Sequence, residues 1–268
     1  MSINNKPIGI FDSGLGGLTL FKELKKTLPN EKFIYLGDIA HLPYGNKSNE
    51  AIIKYSIAIS KFLLLKDIKC LIIACNTASS VAFKFLQKNF NIPIFNVIDP
   101  CIQEATQRTQ TNQIAIIGTE ATIHSNTYQK KIKKINKKIK VITQPCPLFV
   151  PIVEEGLSNH RIAFDVTQFY FKKIIKTKAD TLILGCTHYP LMLNTIKKVT
   201  KDKLKIINSP AITANNISKY LIYHAQQAKH TSPRRDCFYV TDKPDKFDYL
   251  AQKFLNKKHI EVNQIVLT

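Results

Sequence analysis

No apolar run in this chain is long enough to span a membrane. The longest stretches, such as Ile57–Leu65 and Leu71–Cys75, are short and interrupted, whereas a spanning helix needs about 20 apolar residues. The opening segment, Met1–Pro7, is polar and lacks the apolar centre of a signal peptide. Six cysteines are present, but none forms a C-x-x-C pair and no close pair is matched by a second. Zinc-site spacing is therefore missing, and no metal is expected. A G-x-G-x-x-G dinucleotide fingerprint is missing too. These absences lead to the expectation of a cytoplasmic protein with free thiols, used either for packing or for chemistry.

Acidic residues are also scarce. Nineteen Asp and Glu face 39 Lys and Arg, for a net charge of +20. Such an excess points towards polyanions. The lysines are spread along the chain, however, in company with Ile and Asn, and all three have A/T-rich codons. The dense stretch Lys130–Lys140 (KKIKKINKKIK) places Ile132, Ile135 and Ile139 at helical spacing, which predicts a solvated helix face. Aromatic residues do not interleave with these lysines as a base-stacking platform requires. Nucleic acid is therefore not read as the primary partner.

What is present is an ordinary globular composition, 44% hydrophobic and 22% charged over 268 residues. Short apolar runs alternate with longer stretches of helical period. The runs are Ile8–Phe11, Phe33–Leu36, Leu71–Ala74, Ile94–Val97, Ile114–Ile117, Val141–Thr143, Thr181–Leu184, Lys205–Ile207 and Phe238–Val240. Helices are expected near Leu18–Leu28, Glu50–Leu65, Ala78–Lys88, Thr122–Lys134, Arg161–Lys176, Leu191–Val199, Ile212–Gln226 and Lys246–Leu255. This alternation predicts an α/β fold with mainly parallel sheets covered by helices.

The chain also reads as a diverged duplication. Ile8–Ser13 (IGIFDS) is similar to Ile114–Thr119 (IAIIGT), and Leu71–Thr77 (LIIACNT) to Leu182–His188 (LILGCTH), at offsets of 106 and 111 residues. Two similar α/β domains related by a pseudo-twofold axis follow, with the active site in the cleft between them. No Pro/Gly/Ser-rich linker marks a boundary, so the repeat places it: residues 1–98 plus 210–268 on the Cys75 side, and 99–209 on the Cys186 side.

Each repeat ends an apolar strand on a cysteine followed by polar residues: Cys75 by Asn76 and Thr77, Cys186 by Thr187 and His188. A strand end opening into a helix places backbone N–H groups beside the sulfur. That setting is expected to lower a thiol's pKa and to bind a carboxylate. One such cysteine alone reads best as packing. Two at equivalent positions point to a pair of acid/base groups addressing opposite faces of one carbon, as racemisation at Cα requires. Cys70, Cys101, Cys146 and Cys237 lack the doubled setting and read as structural. The turn Asp12-Ser13-Gly14-Leu15-Gly16-Gly17 permits close approach of backbone to a small anion, or is a plain strand-to-helix turn capped by Asp12. Asp38 reads as a turn organiser, and Glu154-Glu155 equally as a surface pair. His188 alone would be structural; beside Cys186 it can steer or share a proton.

The segments IGIFDSGLGGLT, YLGDIAHLPYGNKS, LIIACNTAS, IGTEATIHSNTY, PLFVPIVEEG and LILGCTHYPL, spanning Ile8 to Leu191, resemble in order the motifs of glutamate racemases, in the aspartate/glutamate racemase family. The resemblance implies interconversion of L- and D-glutamate for peptidoglycan synthesis, with no cofactor. It implies that Cys75 serves the D-enantiomer and Cys186 the L-enantiomer, assisted by Asp12 and His188 respectively, with Glu154 as an auxiliary acid. Asp12, Ser13, Tyr44, Gly45, Asn76, Thr77, Thr119, Thr187 and His188 would hold the substrate. A homodimer is implied at family level. Activation by a peptidoglycan precursor is left open. The readings weighed against this one are a racemase for another acid such as aspartate, a polyanion- or protein-binding module, and a thiol redox protein. The last is disfavoured by the 110 residues between the two cysteines.

Overall fold

The computed structural model describes residues 5–228, 235–255 and 260–267. Residues 1–4 of the polar Met1–Pro7 segment lie outside them. The first half of the chain runs β1 (Ile8–Asp12), α1 (Leu18–Thr27), β2 (Phe33–Gly37), α2 (Asn49–Leu64), β3 (Cys70–Ile73), α3 (Asn76–Val81), α4 (Phe83–Asn89) and β4 (Ile94–Asn96). The second runs α5 (Ile98–Arg108), β5 (Gln113–Gly118), α6 (Glu120–His124), α7 (Thr127–Ile135), β6 (Lys140–Pro145), α8 (Phe149–Glu154), α9 (Arg161–Phe171), β7 (Thr181–Gly185), α10 (Leu193–Thr200) and β8 (Lys205–Ile207). Helix α11 (Ser209–Tyr223), β9 (Cys237–Val240), α12 (Pro244–Leu255) and β10 (Val262–Gln264) follow. Among the described residues no helix is long and apolar enough to cross a membrane.

Two sheets form, ordered β10-β9-β2-β1-β3-β4 and β6-β5-β7-β8. Every pairing in them is parallel. The duplication is visible in this order: β2-β1-β3-β4 and β6-β5-β7-β8 are the same arrangement, with β1 matched to β5 and β3 to β7. The strands are apolar on both faces because both faces are covered. Ile8, Ile10 and Ile72 pack beneath α1, α11 and α12, against Phe21, Ile217 and Phe247. Phe11, Leu71 and Ile73 face the other way, against Ile52 and Ile59 of α2 and Ala78 of α3. In the second sheet Ile117 and Leu184 pack towards α8, α9 and α10, while Ile114, Ile116 and Ile183 pack on α5 and α7.

Several expectations are corrected. The single helix expected over Ala78–Lys88 is two, α3 and α4, broken at Ala82. The Ser80 hydroxyl donates to the Thr77 carbonyl within α3, competing with the helical ladder, while the Ser79 hydroxyl donates back to the Ile73 carbonyl at the end of β3. The helix expected over Thr122–Lys134 is likewise split into α6 and α7 at Asn126, which takes a left-handed φ of 56°, a conformation Asn tolerates. The lysine-rich stretch is not one helix face: α7 stops at Ile135, Asn136 Oδ1 accepts from the Lys138 amide, and β6 starts at Lys140. Ile132 and Ile139 are buried while Ile135 is exposed. Helices α5 and α8 were not anticipated. Each has a proline in its third position, Pro100 and Pro151, where a missing N–H costs nothing. The short edge strand β10 was also not anticipated.

An ion pair pins the segment that follows α11 to the first sheet. Lys69 lies 2.7 Å from the Glu31 carboxylate, both side chains being buried. Lys69 Nζ also donates to the Gln226 carbonyl at 2.7 Å, and Glu31 accepts from the Ala228 amide at 2.8 Å. Removing one member of a buried pair strands the other charge. Glu31→Ala should therefore lower the unfolding free energy by about 3 kcal/mol or more in urea titrations; a loss below about 1 kcal/mol would show the pair to be dispensable.

Candidate active site

The carboxyl ends of the central strands carry the polar residues, as parallel α/β sheets favour. Asp12 ends β1 and is fully buried. One of its oxygens accepts from the Gly14 amide at 3.0 Å and the other from the Thr187 hydroxyl at 3.3 Å. Burial raises its pKa, against the opposing effects of the His188 charge, the Gly17 and Gly14 amides and Thr187. Cys75 follows β3 as the N-cap of α3. Its sulfur accepts from the Ala78 amide at 3.5 Å and lies 3.6 Å from the Ser13 hydroxyl. Cys186 follows β7, but the chain then forms a short 3-10 turn (Tyr189–Met192) before α10, and not the immediate helix expected. The Cys186 sulfur is 3.9 Å from His188 Nδ1, and His188 Nε2 is 3.2 Å from Glu154 Oε1.

The expected lowering of the thiol pKa is corrected at Cys75. Its pKa is pushed up to about 12, first by burial and then by the Asp12 carboxylate, outweighing the Ala78 amide and the Ser13 hydroxyl. A six-residue helix presents one N–H to the sulfur, too little to offset desolvation. His188 goes the other way in effect. Burial alone would lower its pKa, but hydrogen bonds to Cys186 and Glu154 and the charges at Cys186 and Asp12 raise it to about 10. The contacts of His188 with Cys186 and Glu154 thus favour the protonated imidazole.

The residues singled out in the sequence come together. Ser13, Tyr44, Gly45, Cys75, Asn76, Thr77, Thr119, Cys186, Thr187 and His188 all line one cavity. Asp12 and Glu154 stand just behind it, touching Thr187 and His188. The cavity measures about 20 Å³, room for one water molecule. As it stands the cavity is too small to hold an amino acid. Closure depends on two glycines. A Cβ at Gly16 would lie 2.2 Å from Thr187 Oγ1, and one at Gly45 would lie 2.6 Å from Thr119 Cβ.

Some contributors were missed. Leu42, Pro43 and Val150 complete the wall; apolar residues in loops carry no sequence signal for a polar site. Asp38 is the turn organiser expected. It accepts the Tyr44 hydroxyl at 2.5 Å and the Thr241 hydroxyl at 2.8 Å. Thr122 forms a hydroxyl triangle with Thr77 and Thr119, the three separations being 2.9, 3.2 and 2.9 Å. Tyr128 donates to Asn76 Oδ1 at 2.7 Å. Both lie in the IGTEATIHSNTY segment, but which of its members face the other half is not visible in a linear pattern. Among the described residues no three His, Cys, Asp or Glu side chains converge as metal ligands would.

Two α/β halves of like topology, closed on a cavity with a thiol from each, define the architecture of a two-domain amino-acid racemase, an isomerase. A model of the Asp/Glu/Hydantoin racemase family matches residues 16–217, and the chain belongs to that family. It is 41% identical to the glutamate racemase of Geobacter metallireducens, over 98% of this chain and 97% of that one. Among solved structures it is similar to a glutamate racemase isoform from Bacillus anthracis, with TM-score 0.94, 34% identity and 98% of both chains covered. It is also similar to the glutamate racemase of Francisella tularensis in complex with D-glutamate, with TM-score 0.92, 37% identity and 98% of both chains covered.

The raised His188 pKa fixes the direction of a pH effect. Stabilisation from its protonation is present in full below about 6.5 and is lost as pH rises through about 10. The difference in unfolding free energy between the native protein and His188→Gln should shrink across that window. A difference independent of pH would contradict the assignment of an imidazolium.

Proposed function

We propose that this chain interconverts L- and D-glutamate by passing the α-proton between two thiols, Cys75 and Cys186, without a cofactor. The observation that carries this reading is that both sulfurs border one closed cavity from different halves of the fold, each with its own polar partners. A single fixed base cannot readily serve both faces of Cα; two opposed ones can.

In the direction from L-glutamate, Cys186 acts as thiolate and takes the α-proton, forming an S–H bond as the C–H bond breaks. The electron pair left on Cα is shared with the α-carboxylate. Cys75 then delivers its S–H proton to the opposite face. At the end Cys75 is thiolate and Cys186 thiol, and exchange with solvent restores the starting state. Two observations support this starting state: burial pushes the Cys75 thiol up to about 12, so it holds its proton, and His188 Nδ1, 3.9 Å from the Cys186 sulfur, is placed to donate to a thiolate there. Glu154 holds His188 and serves as the auxiliary acid, while Asp12 stands behind Cys75 and assists it in the reverse direction.

Ser13, Tyr44, Gly45, Asn76, Thr77, Thr119, Thr187 and His188, with Asp12 behind them, hold the substrate. Most are neutral donors. Preorganised donors aimed at the carboxylate stabilise charge that grows as the α-proton leaves, and closing the cavity removes competing water. We assign residues 1–98 plus 210–268 to one closing unit and 99–209 to the other. The pairing of β9 with β2 and the packing of α11 on the first sheet support this division. The further reading, at family level, is a cytoplasmic homodimer supplying D-glutamate to peptidoglycan synthesis; the six free cysteines fit a reducing compartment.

Purified, reduced protein should convert L-glutamate to D-glutamate without added cofactor, measured by chiral chromatography. Cys75→Ser and Cys186→Ser should each lose more than about 100-fold, the scale of one acid/base group. Full activity in either variant would remove the two-thiol assignment, and no activity in folded native protein would remove glutamate as substrate.

A further inference from the structure

Most side-chain hydrogen bonds across the cleft fall on α3, the helix that begins beside Cys75. Its residues meet α6 and α7 of the other half at several points. Thr77 shares the hydroxyl triangle with Thr119 and Thr122. The Ser80 carbonyl accepts from the Thr127 hydroxyl at 2.9 Å. Asn76 accepts from the Tyr128 hydroxyl at 2.7 Å. The last contact differs from the others because Asn76 also lines the cavity between the sulfurs.

A carboxamide has an acceptor end and a donor end, and which end faces a ligand is set by its other partner. Tyr128 is buried, and its pKa is raised well above that of an ordinary phenol, first by burial and then by the charges at Cys101, Asp99 and Cys186. The phenol is therefore neutral and carries a proton that needs an acceptor. Among the described residues its only hydrogen-bond partner is Asn76. Only the orientation with Oδ1 towards Tyr128 satisfies that proton; the reverse would leave it buried and unpaired. The Asn76 Nδ2 group then has no acceptor among the described residues and remains available to the cavity.

We propose that Tyr128 is a positioning residue: reaching across from the second half, it fixes the Asn76 amide with its N–H groups turned to the cavity, as donors to a substrate carboxylate. This rests on the reading of the cavity as the amino-acid site. It also makes the donor beside Cys75 conditional on closure, because α7 must lie against α3 for the amide to be held. An open cleft leaves Asn76 free to turn, and closing it locks the donor face at the moment water is excluded.

The test begins with native protein, whose racemisation of glutamate establishes the underlying reading by itself. In that protein, Tyr128→Phe should lower kcat/KM for L-glutamate by about tenfold, the scale of one oriented hydrogen bond to a charged group. The same substitution in an Asn76→Ala background should change kcat/KM by less than about twofold, because the group that Tyr128 orients is gone. Thr127→Ala, which removes a neighbouring cross-cleft hydrogen bond without touching Asn76, should leave kcat/KM within about twofold. Equal losses from Tyr128→Phe in both backgrounds would overturn the proposal, since the tyrosine would then act through packing. So would a tenfold loss from Thr127→Ala, or no loss from Tyr128→Phe in the native background. Thermal melts of each variant separate these results from unfolding.

Discussion

Two sulfurs carried by different sheets have to border one small cavity, and the rest of the structure is arranged around that requirement. The close approach is made by backbone. Gly16 lies against Thr187 and His188, and Gly45 against Thr119, at distances that admit no side chain. The strand order supplies the symmetry, because β3 and β7 occupy the same place in like sheets. The loops after them therefore meet across the cleft. A cavity of about 20 Å³ is the outcome of that fit.

The geometry is symmetric, but the electrostatics are not. Cys75 is surrounded by a buried carboxylate, a hydroxyl and one amide, and its proton is held to about pH 12. Cys186 has a histidine that stays protonated to about pH 10, itself braced by Glu154. The two sides of the cavity thus favour a proton on Cys75 and a cation at His188. That asymmetry suits a reaction in which one group gives what the other takes. The two sulfurs occupy equivalent positions in the like sheets, and the residues following them diverge, Asn76-Thr77 against Thr187-His188, so that their surroundings differ.

Much of this was legible in the sequence. The apolar runs anticipated nine of the ten strands among the described residues, because strands covered on both faces leave a continuous signal. The repeated cysteine segments pointed to the cavity that both thiols line, because a residue type recurring at the same strand end in both halves is hard to assign to packing. The misses have physical causes. Helices α5 and α8 each carry a proline, Pro100 and Pro151, in the first turn, where proline is harmless. Serine hydroxyls and Asn126 broke two helices that hydrophobic spacing joined. The pKa of Cys75 was misjudged because helix-end amides are visible in sequence while depth of burial is not. Tyr128 and Thr122 lay inside a recognised motif, but their contacts cross between halves, and no one-dimensional pattern reports that.

The central claim, that two opposed thiols share the proton transfer, is tested most directly by isotope placement. L-glutamate incubated with the native protein in deuterated water would be followed at low conversion by mass analysis of the separated enantiomers. Two bases on opposite faces predict D-glutamate carrying deuterium at Cα, while the remaining L-glutamate keeps its original hydrogen, because the abstracted proton can return only to the face it left. D-glutamate that retains the original hydrogen, or L-glutamate that gains deuterium as fast as product forms, would contradict the account and point to a single base serving both faces.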